Sequence, residues 1–127
     1  MRRGYSSSYW HGDYLTATWR FPYDDLVIAT GCRPRQLDVP GADHPHLLYL
    51  RTLADSQELR RLAQPRSKLV LIGGGYIGLE IASTARTLGM GVTILEVAPQ
   101  LLSRVTSPAV GAFYQQLHQA HGVEIRC

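Results

Sequence analysis

Short apolar runs alternate with amphipathic stretches along the second half of the chain. Lys68–Ile72 is rich in leucine and β-branched residues, which is typical of a buried parallel strand. Two later runs, Val92–Leu95 and Val123–Ile125, have the same character. The sequence therefore predicts three strands, separated by segments long enough for helical connections.

Two helices are predicted between these strands. The first, Tyr76–Leu88, follows a run of glycines and ends at Gly89, which tolerates a left-handed C-terminal cap. The second begins with Ser107–Pro108, an N-cap followed by a proline at the first helical position, and ends at Gly122. The apolar faces predicted to form the core are Ile77, Ile81, Ala85 and Leu88 in the first helix and Val110, Phe113, Tyr114 and Leu117 in the second.

The order strand, helix, strand, helix, strand predicts a right-handed parallel βαβαβ unit of the α/β class. Ahead of this unit, the apolar run Leu26–Ala29 predicts a short buried strand, and the prolines of Arg33–Pro45 predict a loop. Thr52 and Asp55 have the spacing of a capping box and predict a further helix. The leucines at helical spacing around this cap are Leu50, Leu53, Leu59 and Leu62.

The composition is that of one globular domain, with 127 residues of which 45% are hydrophobic and 18% charged. No apolar run approaches the roughly 20 residues of a membrane span, so no membrane partner is expected. The net charge of +3 keeps a nucleic-acid-binding domain as an alternative, but the arginines are scattered and form no stripe with aromatics. Cys32 and Cys127 form no ligand or redox pair, so a reducing, cytoplasmic setting is expected.

A glycine-rich turn lies between the first of the three strands and its helix. Gly73, Gly75 and Gly78 have the G-x-G-x-x-G spacing, directly after a strand and at the start of a helix. The first glycine allows a tight turn, the second lets the backbone approach a pyrophosphate, and the third lets helix and strand pack closely. Tyr76 and Ile77 lie in the first helical turn, whose N–H groups favour a phosphate charge. The sequence therefore predicts a Rossmann-type NAD site.

An acidic residue directly follows the second of these strands. Glu96 lies eighteen positions after Gly78, close to the roughly 20 expected for the acid that binds a ribose 2′-hydroxyl. Its carboxylate accepts hydrogen bonds from a ribose diol but repels a 2′-phosphate, and the next four residues carry no cation. NADH is therefore favoured over NADPH. A crossover of this kind that binds another adenosine nucleotide, or nothing, is the plainer alternative.

Several segments together, in their order along the chain, resemble one family of flavoproteins. They are Tyr23–Gly31, Arg33–Arg35, Pro40–Gly41, Tyr49–Leu53, Gly73–Glu80 and Leu101–Val105. The pattern resembles the FAD-dependent pyridine nucleotide-disulfide oxidoreductases, and among them the ferredoxin reductases of the putidaredoxin and rubredoxin reductase type. In that family NADH delivers a hydride to a bound FAD, and the flavin passes electrons singly to a ferredoxin.

The resemblance implies roles for further residues. Ala29, Thr30 and Gly31 would lie where the chain passes from an FAD domain into the NAD domain, and Arg51 would contact the flavin dinucleotide. Glu80 would lie near the nicotinamide. By spacing alone, Glu80 is a solvated helix position and Arg51 a surface cation. No catalytic residue is predicted, and no metal site, because the histidines lack a cysteine or carboxylate partner at ligand spacing.

The resemblance also implies an incomplete protein. The family begins with an FAD-binding G-x-G-x-x-G that has no counterpart in Met1–Phe21, and ends with segments that would lie beyond Cys127. Residues 1–22 form an N-terminal segment to which we assign no role. We expect residues 23–65 to connect an FAD domain to an NAD domain and residues 66–127 to form a truncated Rossmann half-domain. The expected function is the NADH-binding portion of an FAD-dependent oxidoreductase that reduces a ferredoxin-like carrier, inactive as an isolated chain. The alternative is a stand-alone or inactive dinucleotide-binding module without catalysis.

Overall fold

The computed structural model describes residues 24–25 and 27–127. The chain divides into two compact units, residues 1–32 and 33–127, and the second holds all the regular structure that the described residues form. In the first unit, residues 27–30 are exposed and form no strand, so the predicted strand over Leu26–Ala29 is wrong for its described residues; Leu26 itself lies outside them. A strand requires a neighbour for its backbone hydrogen bonds, and the described strands pair only with one another.

Three helices and three strands form the second unit. In chain order they are α1 (Leu53–Leu62), β1 (Lys68–Ile72), α2 (Tyr76–Thr87), β2 (Gly91–Leu95), α3 (Pro108–Ala120) and β3 (Val123–Arg126). All the strands are parallel, in the order β1-β2-β3, and the register places Ile72 beside Leu95 and Leu95 beside Arg126. The predicted parallel βαβαβ unit is confirmed.

Helix α1 is defined by its cap rather than by burial. The Thr52 hydroxyl accepts a hydrogen bond from the Asp55 N–H at 3.2 Å, and the Asp55 carboxylate accepts one from the Thr52 N–H at 2.7 Å. The predicted capping box is confirmed. No residue of α1 is buried, and Leu53 is 74% exposed. Hydrogen bonds at its first turn therefore fix where this helix begins.

Helices α2 and α3 both pack on one face of the sheet, as two right-handed crossovers in the same direction require. On that face Val92 and Ile94 of the central strand are buried, and the opposite face leaves Val70 and Ile72 more than half exposed. The buried apolar residues that form the core are Leu79, Ala82, Ala85, Met90, Val92, Ile94, Leu101, Leu102 and Val123.

The predicted buried faces of α2 and α3 are largely wrong. Ala85 is buried as predicted, but Ile77 is 60% exposed and Phe113 is 59% exposed, while Gly111 and His118 are the buried residues of α3. Small residues on the inward side of each helix let the backbone approach the sheet and its loops closely, and one larger residue is buried beside them in each helix, Leu79 in α2 and His118 in α3. The other predicted core positions that are more than a third exposed are Leu88, Val110, Tyr114 and Leu117; Ile81 is half-buried.

One arginine joins the ends of three elements at the amino edge of the sheet. The Arg86 guanidinium donates to the carbonyl of Met90 at 2.6 Å and to the carbonyl of His121 at 2.9 Å. Replacing Arg86 by methionine keeps much of the apolar stem and leaves both carbonyls without this donor. We expect unfolding in urea to show a loss of about 2 kcal/mol. Arg60→Met, at an exposed position of α1, is the matched control and should change stability by less than about 0.5 kcal/mol; equal losses would contradict this role of Arg86.

Candidate dinucleotide-binding site

The glycine-rich turn lies at the carboxyl end of β1 and leads directly into α2. Gly73 has φ +109, a conformation that favours glycine, and its N–H donates to the carbonyl of Leu95 at 2.8 Å. The turn is therefore fastened to the end of the neighbouring strand, where ligands bind in open parallel sheets.

Gly78 provides the close approach between the helix and this turn. A Cβ at Gly78 would lie 2.3 Å from the carbonyl oxygen of Gly73, nearer than real Cβ contacts come. The obstructing atom belongs to the backbone and cannot rotate away. The packing role predicted for the third glycine has this geometric basis.

Gly75 is the N-cap of α2 and faces open space. A Cβ built on it would meet no atom within 4 Å, and the residue is exposed. The first bond that closes the helix is from the N–H of Leu79 to the carbonyl of Gly75, so the amides of Tyr76, Ile77 and Gly78 precede the intrahelical ladder. An exposed N-cap without a side chain, together with such amides, forms a cradle that suits the charge and the close approach of a pyrophosphate.

Glu96 follows β2 and turns back toward the glycine-rich turn. Its Oε2 accepts a hydrogen bond from the Gly74 N–H at 2.7 Å, and its Oε1 accepts one from the Ala98 N–H at 2.8 Å. The side chain is half-buried, and each carboxylate oxygen has a further lone pair that can accept a hydroxyl. A carboxylate held beside this cradle can accept hydrogen bonds from a ribose diol.

The pKa of Glu96 is set by opposing influences. Burial favours the neutral form, but the N–H groups of Ala98, Gly74 and Val97 and the positive charge of Arg104 favour the carboxylate, so the pKa of Glu96 lies below its ordinary value. From the sequence, Arg104 is discounted as a cation near Glu96 because it lies eight positions later, but in the structure its charge does act on Glu96. The carboxylate is therefore ionised at neutral pH.

An acid titration followed by NMR at the Glu96 carboxyl carbon tests this electrostatic arrangement. We expect the midpoint to lie below the ordinary glutamate pKa, so that the stability contributed by the ionised group is present above that value and is lost only as the pH falls through the lowered one. Arg104→Gln should raise the midpoint without restoring the ordinary value, because the backbone donors remain. A midpoint at or above the ordinary value in the unaltered chain would contradict the assigned hydrogen bonds.

Gly74 and the segment around Leu101 support the glycine-rich turn in a way that the sequence analysis does not predict. Gly74, a variable position of the motif, is buried, and a Cβ there would lie 2.3 Å from Leu101 Cδ2. Its carbonyl accepts a hydrogen bond from the Leu102 N–H at 3.0 Å. From the sequence, Leu101–Val105 contributes only to the family resemblance. The run of three glycines is the one signal that could have drawn attention to Gly74.

The structure brings together only some of the predicted site residues. Gly73, Gly75, Tyr76, Ile77, Gly78 and Glu96 surround the carboxyl ends of β1 and β2. Glu80 is exposed one turn further along α2, and Arg51 is exposed just before α1, where its N–H donates to the Asp55 carboxylate at 3.0 Å. Ala29, Thr30 and Gly31 belong to the other compact unit and are exposed.

The residues that the structure describes contain neither a metal-ligand cluster nor a membrane-spanning helix. Among residues 24–25 and 27–127, no three His, Cys, Asp or Glu side chains come together as metal ligands. Within these ranges no helix combines the length and the apolar character needed to cross a bilayer.

A parallel βαβαβ unit with this cradle and carboxylate is typical of pyridine-nucleotide-binding proteins. The family model described as pyridine nucleotide-disulphide oxidoreductase matches residues 12–127. The chain belongs to this family.

Curated relatives are ferredoxin reductases. Putidaredoxin reductase from Pseudomonas putida is 50% identical over 107 residues, covering 82% of this chain and 25% of the relative. The ferredoxin–NAD(+) reductase subunit of a benzene 1,2-dioxygenase system, also from Pseudomonas putida, is 46% identical over 102 residues and covers 80% and 25%. The chain thus spans about a quarter of the length of the curated relatives it matches.

Solved structures have the same fold. A ferredoxin reductase from Rhodopseudomonas palustris matches with a TM-score of 0.74 at 43% identity, over 77% of this chain and 24% of that one. Putidaredoxin reductase in covalent complex with putidaredoxin matches with a TM-score of 0.60 at 54% identity, over 61% and 19%. An engineered water-forming NADPH oxidase bound to NADPH matches with a TM-score of 0.73 at 27% identity, over 82% and 23%; its parent is a water-forming NADH oxidase from Lactobacillus brevis.

Proposed function

We propose that this chain is the NADH-binding portion of an FAD-dependent oxidoreductase that passes electrons to a ferredoxin-like carrier. Residues 66–127 would form the NAD-binding half-domain and residues 23–65 the connection from an FAD domain, with residues 1–22 unassigned. The observation that carries the proposal is the Glu96 carboxylate bound to the Gly74 N–H beside the open cradle at Gly75. In a dinucleotide the adenosine ribose is joined to the pyrophosphate through its 5′ methylene, and the residue bound to Glu96, Gly74, directly precedes Gly75 in the chain.

Each part of the site has its own task toward NADH. The backbone at Gly75 and the amides of Tyr76, Ile77 and Gly78 bind the pyrophosphate, and Glu96 accepts hydrogen bonds from the ribose of the adenosine half. These contacts hold one end of the cofactor and leave the nicotinamide end to extend from the glycine-rich turn. When bound, the nicotinamide supplies a hydride and FAD accepts it.

Preference for NADH over NADPH follows from the charge of Glu96. The engineered NADPH oxidase carries five substitutions, among them a glycine-to-alanine and an aspartate-to-alanine substitution eighteen positions apart and arginines introduced one and seven positions after the aspartate. Eighteen positions also separate Gly78 from Glu96. Removing an acid and adding a cation there accompanied a change from NADH to NADPH, which supports Glu96 as the residue that disfavours a 2′-phosphate.

The flavin and the ferredoxin-like electron acceptor are inferred from the relatives. The names of the curated relatives describe reductases of putidaredoxin and of ferredoxin, and one solved relative is joined to putidaredoxin. By analogy with that family, Ala29, Thr30, Gly31 and Arg51 would contact FAD, and Glu80 would lie near the nicotinamide. No step of the flavin chemistry is assigned to a residue of this chain. The cytoplasmic setting stays a prediction.

Calorimetric titration of the 127-residue chain tests the proposal. NADH and ADP-ribose should bind with affinities within about threefold of each other, since the adenosine and pyrophosphate make the contacts described, and NADPH should bind at least about tenfold more weakly. Saturable binding of NMN with none of ADP-ribose would contradict the proposal, as would equal affinity for NADH and NADPH.

A further inference from the structure

A buried turn follows the loop that begins at Glu96. Leu101 and Leu102 are 0% and 2% exposed, although they lie outside every helix and strand. Leu102 has φ +58, a left-handed conformation that a residue with a branched side chain adopts only when its surroundings impose it. We refer to residues 101–105 as the support turn.

Hydrogen bonds fix Leu102 from both sides. Its N–H donates to the carbonyl of Gly74 at 3.0 Å, and its carbonyl accepts from the N–H of Val105 at 2.9 Å and of Thr106 at 3.1 Å. The left-handed conformation is therefore held by contacts on either side of the residue. One of these contacts leads directly to the glycine-rich turn.

Gly74 is in turn held by both of its peptide groups. Its N–H donates to Glu96 Oε2 at 2.7 Å and its carbonyl accepts from Leu102. Because peptide groups are planar and none in the described residues is cis, the N–H of Gly75 points opposite to the Gly74 carbonyl and therefore away from the support turn. The bond from Leu102 thus sets the direction of the Gly75 N–H.

The side chain of Leu101 limits what can stand at Gly74. Leu101 Cδ2 lies 2.3 Å from the place a Gly74 Cβ would take, and Glu96 Oε2 lies 3.3 Å from it. Leu101 is fully buried and has little room to move. Gly74, Glu96 and Leu101 therefore share one tightly filled space behind the cradle.

We propose that Leu101 and Leu102 are positioning residues for the dinucleotide, which act through Gly74 to orient the Gly75 N–H and the Glu96 carboxylate. The proposal rests on the proposed NADH-binding function and deepens it. Both leucines are buried behind the turn and would not touch the ligand. They would increase its affinity by holding the Gly75 N–H and the Glu96 carboxylate in the orientation needed for binding.

Paired substitutions test the shared space. Leu101→Ala should weaken ADP-ribose binding about tenfold. Without the Leu101 side chain Gly74 can move, and the Glu96 carboxylate that it orients is then poorly placed for its hydrogen bond to the ribose. Gly74→Ala should weaken it by at least about as much, since the new methyl displaces Leu101 or Glu96. The double variant Gly74→Ala with Leu101→Ala should bind better than Gly74→Ala alone by about threefold, as the removed side chain makes room for the methyl. A double variant no better than Gly74→Ala would overturn the proposal.

Met90→Ala is the matched control for lost core packing. Met90 is 4% exposed and precedes β2 at the opposite end of the sheet, so its truncation should lower the melting temperature without changing ADP-ribose affinity. If Leu101→Ala likewise lowers only the melting temperature, the support turn is a structural element and the proposal fails.

Amide NMR spectra of the ligand-free chain test the positioning role independently of the proposed function. If the unaltered chain binds no ADP-ribose, the NADH-binding function is wrong. The amide signals of Gly74 and Gly75 then still show whether Leu101 orients these peptide groups. They should shift in Leu101→Ala and stay in place in Met90→Ala. Unshifted signals in Leu101→Ala would show that Leu101 does not orient these peptide groups.

Discussion

Replacing Gly75 by valine is expected to remove NADH binding while the chain remains folded. The N-cap has φ −84 and ψ −177, extended angles that a β-branched residue adopts readily, and no atom lies within 4 Å of the added Cβ. The side chain would occupy the space through which a pyrophosphate approaches the backbone. We expect at least about a hundredfold loss of NADH affinity, as two or more hydrogen bonds to a charged group are lost.

Gly91→Val is the control for Gly75→Val. A Cβ at Gly91 would make ordinary contacts of 3.8 Å at the far end of the sheet, so both variants should melt close to the unaltered chain. Calorimetric titration with NADH then separates them. Wild-type affinity in Gly75→Val would mean that the dinucleotide does not approach the backbone at the cradle.

Replacing Glu96 by arginine should invert the choice between the two nicotinamide cofactors. The change removes the acceptor for the ribose diol and adds a second cation near Arg104, whose charge already reaches this position. We expect NADH to bind at least about thirtyfold more weakly and NADPH to become the preferred ligand, since each lost charged hydrogen bond costs about 1.5–3 kcal/mol. The measurement is the ratio of the two dissociation constants.

Two further variants show which property of Glu96 matters. Glu96→Gln keeps the shape of the side chain but presents an NH2 group to one of the two backbone donors, at Gly74 or Ala98, so it should lose affinity for NADH. Because it also removes the charge that repels a 2′-phosphate, the preference for NADH over NADPH should narrow without inverting. Glu124→Arg changes the same charge on the exposed face of β3 and should leave the ratio unchanged. A similar ratio in Glu96→Arg and Glu124→Arg would remove Glu96 from the ribose site.

The sequence predicted the elements of the βαβαβ unit well because local signals define them. The apolar run of Lys68–Ile72 coincides with β1, and Gly89 and Gly122 have the positive φ values of 79° and 81° that end α2 and α3. The spacing of the three motif glycines and Glu96 likewise depends only on local chain length. Their positions at one end of the sheet followed from the parallel topology.

The sequence could not predict features that depend on packing between distant segments. Apolar periodicity indicated the larger residues of α3, such as Phe113, as core, but close approach at Gly111 turns the small-residue side inward: a Cβ there would lie 2.6 Å from the carbonyl oxygen of Leu101. The left-handed Leu102 and the confined Gly74 likewise arise from contacts more than twenty residues apart. The predicted strand is wrong over its described residues, Val27–Ala29, because apolar character alone does not supply a pairing partner.

An NMR titration of the isotope-labelled chain with ADP-ribose tests directly whether the glycine-rich turn is a dinucleotide site. We expect the largest amide shifts at Gly75, Tyr76, Ile77 and Gly78, a change at the Glu96 carboxyl carbon, and no change at Arg33 or Tyr49, which line a separate cavity of about 410 Å³. Shifts confined to that cavity, or no saturable shift at the glycine-rich turn, would contradict the assignment of this turn as a dinucleotide site.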